Sequence, residues 1–486
     1  MIEGKKGSLF ICKPIEDIHD DLENGPRMKQ VLGAWGLISL GLGCVIGAGI
    51  FVITGQAAAS YAGPAIAISF VISAIACALA GLCYAEFAAA IPVSGSAYSY
   101  SYATLGEFLA WFIGWDLMLE YLFAASTVAV GWSGYVTSFL KDIGIHIPAA
   151  LSSAPLAHTA EKGWHLTGAL LNFPAAFVVA ICSLLLFRGI HESTRVNNLI
   201  VVVKLIVLFL LVAFGLAHVN LANWQPFIPP NTGTFGEYGW SGILRGSAVV
   251  FFAYVGFDAV STAAQETKNP QRNMPIGIIG SLVISTLVYI AVALVITGIV
   301  PFKLLGVPDP IAVAVNYAPA LSWLRPIVKL GAIAGLTSVI LVSLMGQTRV
   351  FFAMSRDGLL PPLFSHLHAK HHTPHVTTLV TGIVACLIAG LFPIDILGEL
   401  VSIGTLLAFA IVCGSILVLR KTRPDMPRPF KTPWVPVVPI LGMVAAIGQM
   451  VFLPLDTWFR LLIWMGLGMV IYFTYSIHHS KVRQRT

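Results

Sequence analysis

GLGCVIGAGIF, residues 41–51, stands inside the first long apolar run of the chain and carries four glycines in eleven residues. Glycine in a helix interior costs about 1 kcal/mol relative to alanine. A segment that crosses a bilayer yet is built from poor helix formers is expected to open at mid-membrane. Such an opening is tolerated only where it is buried in protein or lines a polar cavity. The half-helix that restarts near Ile50 then points free N–H groups and a positive dipole end at that cavity, a ready anion site. Unwound carbonyls such as those of Val45 and Ile46 accept from an ammonium. Packing through small residues accounts for Gly43 and Gly47 equally well, but close packing does not need two glycines spaced as in GAGIF.

The rest of the chain sets the solvent. Of 486 residues, 57% are hydrophobic and only 10% are charged, with mean hydropathy +0.85. A soluble domain carries about 25% charge, so this chain has too little to cover a water-facing surface. About 20 apolar residues cross the hydrocarbon core as a helix, and twelve such segments are predicted. Their limits are 33–55, 64–91, 102–138, 167–188, 196–218, 243–264, 276–300, 327–352, 376–392, 398–419, 434–453 and 457–477. The first 30 residues are polar, with no cleavable signal pattern, so an N-terminal cytoplasmic tail is expected. With that orientation the inner segments hold 20 of the 28 Lys and Arg and the outer ones 7, leaving Lys204 within a span. The bias follows the positive-inside rule and assigns the net charge of +6 to topology rather than to nucleic acid. The seven cysteines are scattered and read as small apolar filler. Five histidines in SRDGLLPPLFSHLHAKHHTPH match no metal-ligand spacing, and that stretch reads as a solvated inner loop.

A second interrupted segment answers the first. AVVFFAYVGFDAVS carries Gly256 at a position corresponding to Gly49, 207 residues earlier, with four whole spans between. A repeat of five spans is odd, so the second copy sits inverted. Matching broken segments in two halves point to a transporter site at their interface. Carbonyls at Phe252, Ala253 and Val255 join those of segment 1 as ammonium acceptors, and an anion site beside an ammonium site describes an α-amino acid.

Charges within spans are costly and are functional candidates. Lys204, in VVVKLIVLFLL, lies roughly nine residues from the inner end of segment 5, on the order of 12 Å deep. A lysine at that depth either binds and releases a proton or serves as a fixed cation. Asp116 and Glu120, four residues apart in WFIGWDLMLEYLF, share one helix face about 6 Å apart in rise. Glu120 is the deeper and is assigned to the transport pathway, Asp116 to structure. Asp258 follows the second break and Glu86 sits near the inner end of segment 2, where it reads as an interface or gate residue. Ser343, small and polar in segment 8, is a candidate for the side-chain wall of the cavity.

GLGCVIGAGIF, CYAEFAAAIPVSGSAYSYSYATLGE, WDLMLEY, FFAYVGFDAVSTAAQETKNPQRNMPIGI and GQTRVFFAMSRDGLLP together resemble the amino acid–polyamine–organocation superfamily, and within it the bacterial branch of the cationic amino acid transporters. The resemblance covers residues from about 30 to 480. It implies an all-α membrane protein of twelve transmembrane helices in the LeuT-type arrangement of two inverted five-span repeats plus two C-terminal spans. It implies substrate contacts at Ile46, Gly47, Ala48, Gly49 and Ile50, and at Phe252, Ala253 and Val255. It also implies that Lys204 stands in for sodium, that Glu120 is the sensitive glutamate of segment 3, and that Ser343 affects side-chain choice.

The expected organisation is a cytoplasmic tail over 1–30, repeats over 31–218 and 219–420, spans 11 and 12 over 421–478, and a cytoplasmic tail over 479–486. The expected function is proton-coupled import of L-amino acids across the cell membrane by alternating access, with the proton as coupling ion and no cofactor or metal. The partners are the amino acid and the lipid bilayer. An exchanger or facilitator of the same fold and a transport-silent sensor are the alternatives. The nature of the side chain, neutral or cationic, is left open. A phosphate-binding GxxxxGK loop is absent, and no later span carries a mid-membrane histidine to partner the GWSG serine, so ATP-driven pumping and intramembrane proteolysis are set aside.

Overall fold

The computed structural model describes residues 9–14, 32–91, 96–159, 163–188, 194–264, 267–368 and 373–485. Most of the tail expected over 1–30, and His371 and His372 of the histidine-rich loop, lie outside the described residues. The chain is predominantly helical. Among the described residues, eight helical stretches are long and apolar enough to cross a membrane, and four shorter apolar helices occupy Ala34–Val45, Phe173–Phe187, His375–Leu391 and Val437–Phe452.

Segment 3, the helix Glu107–Asp142, is the centre of the bundle. It packs along Arg325–Arg356 (segment 8) and Ile394–Thr422 (segment 10), and 78% of its most apolar window is buried, against 28% for the last segment. Segment 2, Ile66–Ala90, packs against segment 7, Pro270–Ile299, which in turn touches segment 1. The long helical stretch Gly49–Ala90 is divided at Gly63, whose φ of +61° and following Pro64 turn the chain from the second half of segment 1 into segment 2.

One element departs from the all-helical expectation. Leu156–Thr159 and Gly163–Leu166 form an antiparallel hairpin in the loop after segment 3. The loop exposes backbone outside the apolar core, and pairing its two arms satisfies those groups locally. Arg460 stacks over Trp164 of this hairpin, 5.7 Å from the ring centre.

The end of the bundle that carries residues 9–14 and 481–485 is tied by buried ion pairs. Glu86 accepts two hydrogen bonds from Arg420, at 2.9 and 2.8 Å, and one from the Thr432 amide at 2.7 Å, and pairs with Arg428 at 3.3 Å. The interface reading of Glu86 thus has a physical basis, because it fixes the loop after segment 10 to segment 2. Glu107 accepts from Arg483 at 2.6 Å, from Tyr472 at 3.0 Å and from Tyr102 at 3.1 Å. Breaking a buried pair by removing one partner costs about 3–5 kcal/mol. Glu86→Gln is therefore expected to lower the melting temperature of the purified chain markedly, because Arg428, 5% exposed, keeps a charge without its partner; an unchanged melting curve would contradict this.

Candidate functional site

Segment 1 opens where the glycines stand. Its first helix ends at Val45, and Ile46 is extended (φ −76°, ψ 90°). The chain resumes helical conformation at Ala48 and runs through a wide π-type turn over Gly49–Ile53. Phe51 donates its amide to the Gly47 carbonyl at 3.2 Å. The amides ahead of it, at Gly47, Ala48, Gly49 and Ile50, are those that a helix start leaves over. Segment 6 opens in the same way. The helix Gly239–Val250 tightens into a 3-10 turn over Phe251–Tyr254, then breaks at Val255 (ψ 131°) and Gly256 (φ +111°). Only glycine adopts such a φ at little cost.

The two openings cross in contact. A methyl carbon added at Gly49 would lie 2.2 Å from the Ala253 Cα, and one at Gly256 would lie 3.0 Å from the Cys44 Cβ. Close packing, set aside for GAGIF from sequence, is therefore what its two glycines serve. Gly47 turns toward segment 8, where an added methyl would stand 3.1 Å from Val339, and Gly49 lets the segment 6 backbone pass.

Beside this crossing lies a small, partly open cavity. Among the residues proposed from sequence, Val45, Gly47, Ala48, Gly49, Phe252, Val255 and Ser343 line it. Ile46, Ile50 and Ala253 are not in its wall. Ile46 turns its carbonyl to Lys204 at 3.0 Å, Ala253 is pressed against Gly49, and Ile50 is buried behind the turn. The wall also includes Tyr121, Ala124 and Val128 of segment 3 and Val339 and Val342 of segment 8. These were missed, although their spacing, three and four residues apart on each helix, was a usable signal. Among the described residues that line it, none bears a charged side chain.

Lys204 is fully buried and donates to the carbonyls of Gly43 and Ile46, both at 3.0 Å. These are the last carbonyls of the first half-helix, where the negative end of the helix dipole favours a cation. Its stem lies on Gly335 of segment 8, where an added methyl would be 2.8 Å from the Lys204 Cε. Lys204 thus touches the break from behind rather than from within the cavity. Glu120 is also buried and outside the wall; its Oε1 has no hydrogen-bond partner among the described residues, and Asp258 and Asp116 are its acidic neighbours.

Tyr289 of segment 7 was not singled out from sequence. Its hydroxyl stands 2.7 Å from the Val45 carbonyl and 2.9 Å from the Ala253 carbonyl, one from each break. The hydroxyl carries one proton and donates it to one of the two carbonyls at a time. With Lys204 it engages three of the carbonyls expected to face an ammonium, those of Val45, Ile46 and Ala253. A buried carbonyl left without a donor costs about 1–3 kcal/mol. Tyr289→Phe is expected to weaken substrate binding about tenfold, the equivalent of 1.4 kcal/mol, as measured by titration of the purified chain; unaltered affinity would remove Tyr289 from the site.

Two helices interrupted at a shared cavity within an apolar bundle define a membrane transporter rather than an enzyme. Comparison with known proteins identifies the group. Residues 32–473 match the family model described as amino acid permease. The chain is 48% identical to the branched-chain amino acid permease BcaP of Bacillus subtilis (strain 168), over 99% of this chain and 100% of that protein. It is 47% identical to the methylthioribose transporter of the same organism, over 98% and 100%. It is 37% identical to the vacuolar cationic amino acid transporter 4 of Arabidopsis thaliana, over 86% of this chain and 68% of that protein. The chain belongs to the amino acid permease family of the amino acid–polyamine–organocation superfamily.

Proposed function

We propose that this permease is a proton-coupled symporter that imports neutral aliphatic L-amino acids by alternating access. The observation that carries the reading is the uncharged cavity at the crossing of the two broken helices, with Lys204 bonded to the carbonyls behind one of them. The substrate carboxylate meets the amides at the start of the second half of segment 1. The ammonium faces the backbone of the segment 6 opening around Val255. The side chain lies among Ala124, Val128, Val339 and Val342, an apolar surface that leaves a cationic side chain without a partner. The name of the BcaP relative, a branched-chain permease, agrees with that wall.

Among the described residues, the eight crossing-length helices and four shorter apolar ones overlap the predicted apolar segments, with segment 1 divided between Ala34–Val45 and the stretch Gly49–Ala90 that also holds segment 2. With the breaks at matching places, this supports twelve spans arranged as two inverted five-span repeats plus two, and the bias of Lys and Arg supports cytoplasmic termini. In the cycle, Lys204 holds the first half-helix when charged and loosens it on losing its proton, so that segment 1 swings. Ser343 sets the room at one side of the wall, and Glu120 lies on the proton's route.

The test is uptake of labelled amino acids into proteoliposomes, with a thermal-shift panel of the twenty amino acids on the purified chain. Leucine, isoleucine, valine and alanine are expected to stabilise the chain, and arginine and lysine to have no effect. An imposed inward proton gradient is expected to drive accumulation. Stabilisation by arginine alone would overturn the substrate assignment, and counterflow that ignores the gradient would make the chain an exchanger.

A further inference from the structure

Segments 3 and 8 run antiparallel and meet at two places that bracket the cavity wall. At one, the Trp132 indole donates to the Thr337 hydroxyl at 2.9 Å. At the other, Tyr121 lies on Gly346, where an added methyl would stand 3.1, 3.2 and 3.3 Å from the ring atoms Cε1, Cδ1 and Cζ. Three neighbouring ring atoms at nearly one distance mean that the ring takes up the room a side chain at Gly346 would need. Tyr121 lines the cavity and Gly346 does not, so the ring stands between the cavity and segment 8 at that end. Among the described residues no hydrogen bond or second aromatic ring holds Tyr121. Packing sets how far the ring stands back, and Gly346 is what it packs on.

The break in segment 1 reaches the opposite end of the wall, where Gly47 faces Val339. An amino acid held at the amides that follow Gly47 therefore starts beside Val339. Its side chain runs past Val342 toward Gly346, seven residues and about 10 Å further along segment 8. What it meets there is the Tyr121 ring.

We propose that Tyr121, set back by Gly346, is the stop that limits side-chain size in this permease. Aliphatic side chains up to that of leucine end short of the ring, and aromatic ones do not fit. The proposal rests on the transport reading above and adds to it the residues that fix the size limit. Tyr121 is the surface the side chain meets, and Gly346 is a positioning residue that acts through it. A carbon added at Gly346 moves the ring into the cavity and shortens the space in front of it. A methylene more or less in an apolar pocket separates two substrates by about 10–200-fold.

Uptake of alanine, valine, leucine and phenylalanine is measured in proteoliposomes with the full-length chain, Gly346→Ala and Tyr121→Leu, and binding of the same four is followed by thermal shift. The unsubstituted chain is expected to prefer leucine to phenylalanine. Gly346→Ala is expected to lower the leucine-to-alanine ratio of kcat/KM about tenfold, with alanine uptake kept. Tyr121→Leu is expected to raise the phenylalanine-to-leucine ratio by about the same factor. A substitution that only loosened the fold would lower all four alike and leave the ratios in place. Unmoved ratios would overturn the proposal, and so would phenylalanine taken up by the unsubstituted chain as fast as leucine. Gly346→Ala decides alone if Tyr121→Leu does not fold, because alanine is the better helix former. An unsubstituted chain that neither binds nor takes up any of the four would overturn the transport reading, and the stop with it, before the variants are compared.

Discussion

Gly49→Ala is expected to reduce uptake to less than about a tenth of the unsubstituted level, since a clash costing 1.4 kcal/mol or more removes a factor of ten from the closed state. The added methyl would sit 2.2 Å from the Ala253 Cα and 2.9 Å from its amide nitrogen. Those are backbone atoms of a second broken helix, so no rotamer change relieves the contact. The two openings must separate, and overpacking of this kind costs about 1–3 kcal/mol or more. Separation also pulls the amides at Gly47–Gly49 away from the carbonyls around Val255, the geometry proposed to hold an amino acid at both ends. Gly466→Ala is the control, because nothing lies within 4 Å of the methyl it adds. Initial uptake rates of the two variants, at matched reconstitution, check the prediction. Equal rates would mean that the crossing is not the site.

Lys204→Ala is expected to uncouple the transporter. The substitution leaves the carbonyls of Gly43 and Ile46 without the ammonium that donates to them at 3.0 Å. It also deletes a buried cation from the negative end of the first half-helix, an interaction worth up to about 2 kcal/mol in a partly buried setting. With no group there to gain and lose a proton, an imposed gradient no longer drives accumulation. One charge moved through 100 mV supplies about 2.3 kcal/mol, so with the proposed coupling the unsubstituted chain is expected to concentrate its substrate roughly 50-fold and the variant only to equilibrate it. Gly335→Ala is expected to act in the same direction more weakly, because its methyl would push on the Lys204 stem at 2.8 Å. Accumulation ratios measured with and without the gradient decide the matter. Normal coupled accumulation by Lys204→Ala would take the proton role from this residue.

The correspondence between sequence and structure is uneven for physical reasons. Backbone conformation is governed by local chemistry, so the glycines at Gly47 and Gly256 marked both openings to within a few residues. Gly49 itself lies within the first turn of the new half-helix rather than in the unwound part. The depth of Lys204 in its apolar run predicted burial, and the structure buries it completely. Assigning cavity walls was less accurate. Carbonyls at Val45, Ile46 and Ala253 were expected to face an ammonium, yet side chains from segments 5 and 7 bond to them.

Length, composition and the spacing of glycines were enough to establish a helical membrane protein with two interrupted segments, because each is a property of a short window of chain and of its solvent. Only the tertiary structure could show that the Tyr289 hydroxyl lies within reach of both openings, that Glu86 grips Arg420, or that the valines of segments 3 and 8 share one wall. Those partners are tens to hundreds of residues apart. They meet because helix faces rotate and pack against one another, and no local pattern records which faces come together.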